Sequence, residues 1–79
     1  MAAAVYFEKL AEDEHRIIYG YGFGFERDDI TDELTVDKAT KRPVDPPARP
    51  SMMLQMAWSG IVKYYHRLDR WPDRGGWVT

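Results

Sequence analysis

The chain has no cysteine, which excludes disulfide cross-links and every thiolate-based metal site. It also has no long apolar run. The longest stretch free of charge, Pro50 to Val62, is 13 residues, well short of the roughly 20 that cross a bilayer as a helix. Met1 to Lys9 contains neither a basic leader nor an apolar stretch before a cleavage site, so it does not read as a secretory signal. A cytoplasmic protein without a membrane partner is the expectation. Nucleophile–base constellations are scarce as well. Thr35, Thr40 and Ser59 are the hydroxyls expected within elements, and none has a histidine at a local spacing that suggests a catalytic pair. His15 falls in a polar connector. His66 falls on a helix flank among Lys63, Arg67 and Arg70, which are not ligands. No catalysis, no cofactor and no metal site are expected.

What is present is ordinary globular material. The 79 residues are 44% hydrophobic and 30% charged, with three Trp, five Tyr and three Phe. That composition argues against disorder and for one small domain over residues 1–79. In a domain of this size apolar burial barely exceeds the entropy of ordering the chain, so tight packing or a protein partner must contribute. The net charge of −2 conceals an asymmetry. Met1 to Asp37 holds ten acids against three bases, a balance of −7, and Lys38 to Thr79 holds three against eight, a balance of +5. A field of this kind steers association with a charged partner or with a second copy, unless the halves pack together and cancel.

Ala3 to Leu10, centred on Val5-Tyr6-Phe7, is rich in strand formers, and Arg16 to Phe25 resumes after a short acidic connector. The pair reads as an antiparallel hairpin. In the second run aromatics and glycines alternate. Period-2 geometry therefore puts Ile17, Tyr19, Tyr21, Phe23 and Phe25 on one face and Gly20, Gly22 and Gly24 on the other. Three glycines weaken a strand, so the bare face must receive a close neighbour or permit a sharp bend. Glu26 to Asp32 is a polar loop and Glu33 to Asp37 a third strand. Arg42-Pro43-Val44 is a short edge segment, because Pro43 cannot donate to a ladder. Four prolines up to Pro50 mark an extended crossing.

Ser51 is a helix N-cap. Leu54, Ala57, Trp58, Ile61, Tyr65 and Leu68 then form one helical face, widened by Met53, Gly60 and Tyr64. Gly60 costs about 1 kcal/mol against alanine in mid-helix, which points to close helix–sheet contact there. Pro72 ends the helix at Arg70 or Trp71. The remaining tail reads as a loop from which Trp77 tucks back onto the body.

Three patterns carry possible function. The acids Glu26, Asp28, Asp29, Asp32 and Glu33 lack the spacing of a calcium loop, but they could face a basic surface on a partner. Lys63, Arg67 and Arg70 share a helical stripe with Arg74 just beyond its end, a pattern that binds phosphates or acidic protein and that also suits the helix dipole. Gly22-Phe23-Gly24-Phe25 resembles the core of the RNA-contacting strand in cold-shock domains, where exposed aromatics stack on bases. Tyr21 stands where that family has a base and Glu26 where it has an aliphatic residue, so no membership is assigned.

The expected fold is α+β: an antiparallel sheet of three to four strands in ββββα order, covered on one face by a long C-terminal helix. The uncovered face is then available to another chain. The expected function is non-enzymatic binding of another protein through the sheet face, the aromatic strand Tyr19, Tyr21, Phe23 and Phe25, and the acidic loop. A homodimer is compatible with this. The format suits an inhibitor, an immunity protein or a phage-encoded antagonist. The rival expectation is nucleic-acid binding by the basic stripe Lys63, Arg67, Arg70 and Arg74.

Overall fold

The computed structural model describes residues 4–78; Ala3, expected at the head of the first strand, and Thr79 lie outside the described residues. The chain runs β1 (Ala4–Glu12), β2 (Arg16–Phe23), a 3-10 turn (Arg27–Asp29), β3 (Asp32–Asp37), β4 (Arg42–Pro43), α1 (Met52–Leu68) and β5 (Arg74–Val78). The class is α+β, as the sequence predicts. The five strands form one antiparallel sheet in the order β4-β3-β2-β1-β5. Four consecutive strands meander, the helix crosses one face, and the chain returns to the far edge beside β1.

The return strand corrects the expected ββββα order. Arg74 to Val78 is not loop: it pairs with β1 from Glu8↔Arg74 to Ala4↔Val78. Gly75-Gly76 disguises it, since glycine is depleted in strands. The space explains one of those glycines. A Cβ at Gly75 would lie 2.8 Å from Phe7 Cζ and from Tyr64 Cε2, so only a bare backbone fits where α1 presses on the sheet edge. Gly60 on the facing helix obeys the same constraint, because its Cβ would meet Phe7 Cε2 at 2.9 Å. The close helix–sheet contact expected at Gly60 is therefore present.

The core lies between α1 and one face of the sheet. Val5, Phe7, Ile17, Tyr19, Tyr21, Leu34 and Val36 contribute from the strands, and Met56, Ala57 and Ile61 from the helix. Phe7 packs edge-on against Tyr19 at 5.9 Å and Tyr64 at 5.8 Å between ring centres. Burial of a side chain like Phe7 is worth about 2–3 kcal/mol. Met53, Leu54, Trp58 and Tyr64 border this core, whereas Leu68, expected on the apolar face, is 42% exposed at the helix end. Tyr19 is wholly buried and its hydroxyl donates to the Pro72 carbonyl at 2.7 Å. Burial pushes that phenol well above its ordinary value, so it remains a donor. This bond fixes the corner between α1 and β5.

The ends of α1 follow capping rules. Ser51 Oγ accepts from the Leu54 N–H at 3.0 Å. The helix stops at Leu68, before the expected Arg70 or Trp71, because Asp69 adopts left-handed backbone (φ 56°) and its N–H donates to the Tyr65 carbonyl. No helix among the described residues is long and apolar enough to cross a membrane.

Behind the sheet, the glycine face of β2 receives a close-packed neighbour from this same chain. A Cβ on Gly22 would overlap the Asp29 carbonyl, and one on Gly20 would meet Ile30 Cγ2 at 2.8 Å and Leu10 Cδ1 at 3.0 Å. Leu10 sits at the β1 bulge between Lys9 and Ala11. Gly22→Ala is expected to lower stability by about 3 kcal/mol or more, measured by urea denaturation, because backbone must move to admit one methyl. A second expectation concerns acid. Glu12 accepts from Lys38 Nζ at 2.6 Å and Lys9 Nζ at 2.7 Å, and the hydrogen bonds from Lys38, then Lys9, hold its carboxyl below its ordinary 4.5. A depressed carboxylate stabilises the fold above the unfolded value and loses that contribution as pH falls through the folded one. The stability gap between wild type and Glu12→Gln should be under about 1 kcal/mol near pH 7, since the group is partly exposed. It should begin to shrink as pH falls below 4.5 and be gone once pH lies under the lowered folded value.

Candidate interaction surface

The loop behind β2 decides which part of the reverse face stays open. Gly24 takes a positive φ of 142°, a backbone that only glycine adopts readily, and the alternation of β2 ends there. Phe25 therefore departs from the face shared by Tyr19, Tyr21 and Phe23 and arrives on the opposite side of the sheet, beside Tyr6, Gly76 and Arg74. Asp29 anchors this turn. Its Oδ2 accepts from the Phe25 N–H at 2.9 Å and the Glu26 N–H at 3.2 Å, and the Gly24 N–H donates to the Ala4 carbonyl at 3.0 Å.

What remains uncovered is the β1–β5 portion. Tyr6 stands between two bare positions, opposite Gly22 on β2 and Gly76 on β5. The result is an open trough of about 910 Å³ lined by Tyr6, Glu8, Phe25, Arg27 and Arg74, with Lys9, Glu26 and Asp73 at its margins. Phe25 is 80% exposed, and Val78, which borders the adjoining hollow beside Tyr6 and Phe25, 63%. Exposed side chains of this size beside a concave wall are what protein-binding surfaces present. The polar groups are mutually engaged. The Tyr6 hydroxyl donates to Glu8 Oε1 at 2.7 Å, and Arg27 Nε lies 3.2 Å from Glu8 Oε2. Partial burial and the Glu8 carboxylate raise the Tyr6 phenol above its ordinary value, so it is neutral at pH 7.

The residues singled out from the sequence are distributed unevenly. Of the aromatic strand, Tyr19 and Tyr21 are buried beneath α1, Phe23 is half exposed on that same face, and Phe25 alone reaches the trough. Of the acidic loop, Asp29 is spent on the turn, while Asp28 and Glu26 are exposed. Asp32 and Glu33 pair with Tyr21 and Gly20 and so project to opposite faces. Of the basic stripe, Lys63 and Arg67 meet in one groove beside β5. Arg70 is exposed beyond the helix end, and Arg74 points behind the sheet, opposite Glu8. Among the described residues, no three histidine or acidic side chains gather to hold a metal ion. Tyr6, Arg74 and Val78 are the surface residues that strand reading missed as a group. The alternation of Arg74, Gly76 and Val78 was the signal, obscured by the double glycine.

No protein-family model, curated protein or solved structure matches this chain.

Asp29→Ala is expected to destabilise the protein by about 1–2 kcal/mol in urea, through loss of two backbone caps. The neighbouring Asp28→Ala should stay within about 0.5 kcal/mol of wild type.

Proposed function

We propose that the protein is a non-enzymatic binding module that engages another protein through the open trough behind β1 and β5. The observation that carries this reading is the position of Phe25: a large apolar side chain, held by a glycine hinge and the Asp29 caps, stands 80% exposed at the wall of a concavity. An anchor of this kind loses little conformational freedom on binding, and buried aromatic anchors dominate protein interfaces. Glu26 at the margin supplies an acidic contact, with Asp28 on the same loop, and Arg27 and Arg74 make the wall mixed in charge.

A non-catalytic role is supported by the trough's chemistry. Its lining carries no histidine and no hydroxyl other than the neutral Tyr6 phenol, which already donates to Glu8. Format alone, a small acidic chain acting by surface contact, suits an inhibitor, an immunity protein or a phage-encoded antagonist of a host machine; this is analogy rather than chemistry.

The test is affinity purification from the native host with quantitative mass spectrometry, comparing wild type with the Phe25→Asp/Arg74→Glu double variant. Both residues are exposed, so the variant should keep the wild-type melting temperature within a few degrees. It should lose at least about tenfold of any specifically retained partner. Undiminished capture, or oligonucleotide binding with a steep salt dependence, would reject the reading.

A further inference from the structure

The two edges of the sheet are unlike. β4 is two residues long and contains Pro43, and Lys41 and Asp45 on either side of it take left-handed backbone (φ 60° and 48°). Such an edge is blunted against further pairing. β5 has five residues, no proline, and one charged side chain, Arg74. Its register with β1 is unbroken by a bulge, and among the described residues nothing pairs with its outer side. Apart from the Arg74 charge at its start, the usual protections of an edge strand are missing here.

Grooves of different character run along the two sides of this edge. On the helix side, Lys63, Tyr64, Arg67 and Trp77 line about 270 Å³. Lys63 Nζ lies 5.2 Å from the centre of the Trp77 ring, and the Arg67 guanidinium 5.9 Å from that of Tyr64. Among the described residues neither cation pairs with a carboxylate. On the reverse side, Tyr6, Phe25, Arg74 and Val78 border about 380 Å³. A strand laid along β5 would send alternate side chains into these two grooves.

We infer that the outer edge of β5 accepts an extended acidic segment of another protein as a sixth strand. Alternate Asp or Glu side chains of that segment face Lys63 and Arg67, and the intervening apolar side chains lie toward Phe25 and Val78. Two competing occupants fit less well. Antiparallel self-pairing of β5 requires a two-fold axis normal to the sheet, which sets both helices on the same side and crowds two Lys63 and two Arg67 side chains along one seam. Single-stranded nucleic acid needs open aromatic faces for stacking, and those of Trp77 and Tyr64 already lie under cations. The inference shares its class of partner and the Phe25 wall with the trough reading, but its own tests rest on residues outside that reading, the β5 backbone, Lys63 and Arg67.

The test pans a random decapeptide display library against the full chain. Enrichment of sequences with Asp or Glu at alternate positions is expected. The best peptide should slow amide hydrogen exchange at Gly75 to Val78, and Lys63→Glu/Arg67→Glu should weaken it at least about tenfold. The same peptide N-methylated along one edge should not bind. Enrichment without acidic alternation, unchanged β5 amides, or equal binding of the methylated peptide overturns the proposal. So does a light-scattering dimer that persists in the double variant, or a dT oligonucleotide that binds wild type and not the double variant. Any of these failures alongside lost capture by Phe25→Asp/Arg74→Glu overturns the edge proposal alone.

Discussion

The reverse side of this sheet is shaped by the missing side chains of Gly20 and Gly22. Because no Cβ stands there, the backbone of Asp29 and Ile30 can lie directly on β2. That contact closes part of a face that a single helix could not reach. It also sets the exit direction of the chain at Gly24, and through it the position of Phe25. One local constraint thus seals one region and defines the other.

The front of the sheet obeys the same rule with different residues. Gly60 and Gly75 flank Phe7 from the helix and from the sheet edge, and neither position tolerates a methyl without displacing an aromatic ring. A small domain without disulfides depends on such close approach, since it has few residues with which to exclude water. The charge asymmetry of the sequence is only partly kept in space, since Asp32 shares the helix side of the sheet and Arg27 and Arg74 stand behind it. Lys63 and Arg67 lie with the helix on one side, while Glu26, Asp28 and Glu33 lie with the loop behind. Among the described residues, the ion pairs that join the two halves of the chain are Glu12–Lys38 and Lys9–Asp73, so the loop and helix charges are left to face outward.

Much of this architecture is legible in the sequence because it follows from periodicity. The aromatic–glycine alternation of β2, the Ser51 cap and the Ala57–Ile61 stripe each encode local geometry. The demand for a neighbour on the glycine face is legible too. What supplies it is not, because a seven-residue polar loop has no period from which its docking could be read. β5 is obscured for a related reason: Gly75 answers a tertiary contact with Phe7 and Tyr64 and so contradicts strand propensity. The candidate surface was visible only in pieces. Phe25 stood out as an aromatic of the strand, but its switch of face depends on the backbone of Gly24. Arg74 stood out as an extension of the helical stripe, although the strand it occupies turns it to the other side.

The pairing of β1 with β5 has a kinetic side. It joins the two extremes of the described chain, as in Val5↔Trp77, and loop closure of that span is the costliest in the sheet. The meander of β1 to β4 needs only short reversals and so can assemble early, whereas β5 must await the docking of α1 and the Tyr19–Pro72 corner. By the same reasoning β5 is the first strand to fray. A frayed β5 would bare the outer side of β1 together with Trp77, and would make the boundary strand the origin of any opening of the sheet.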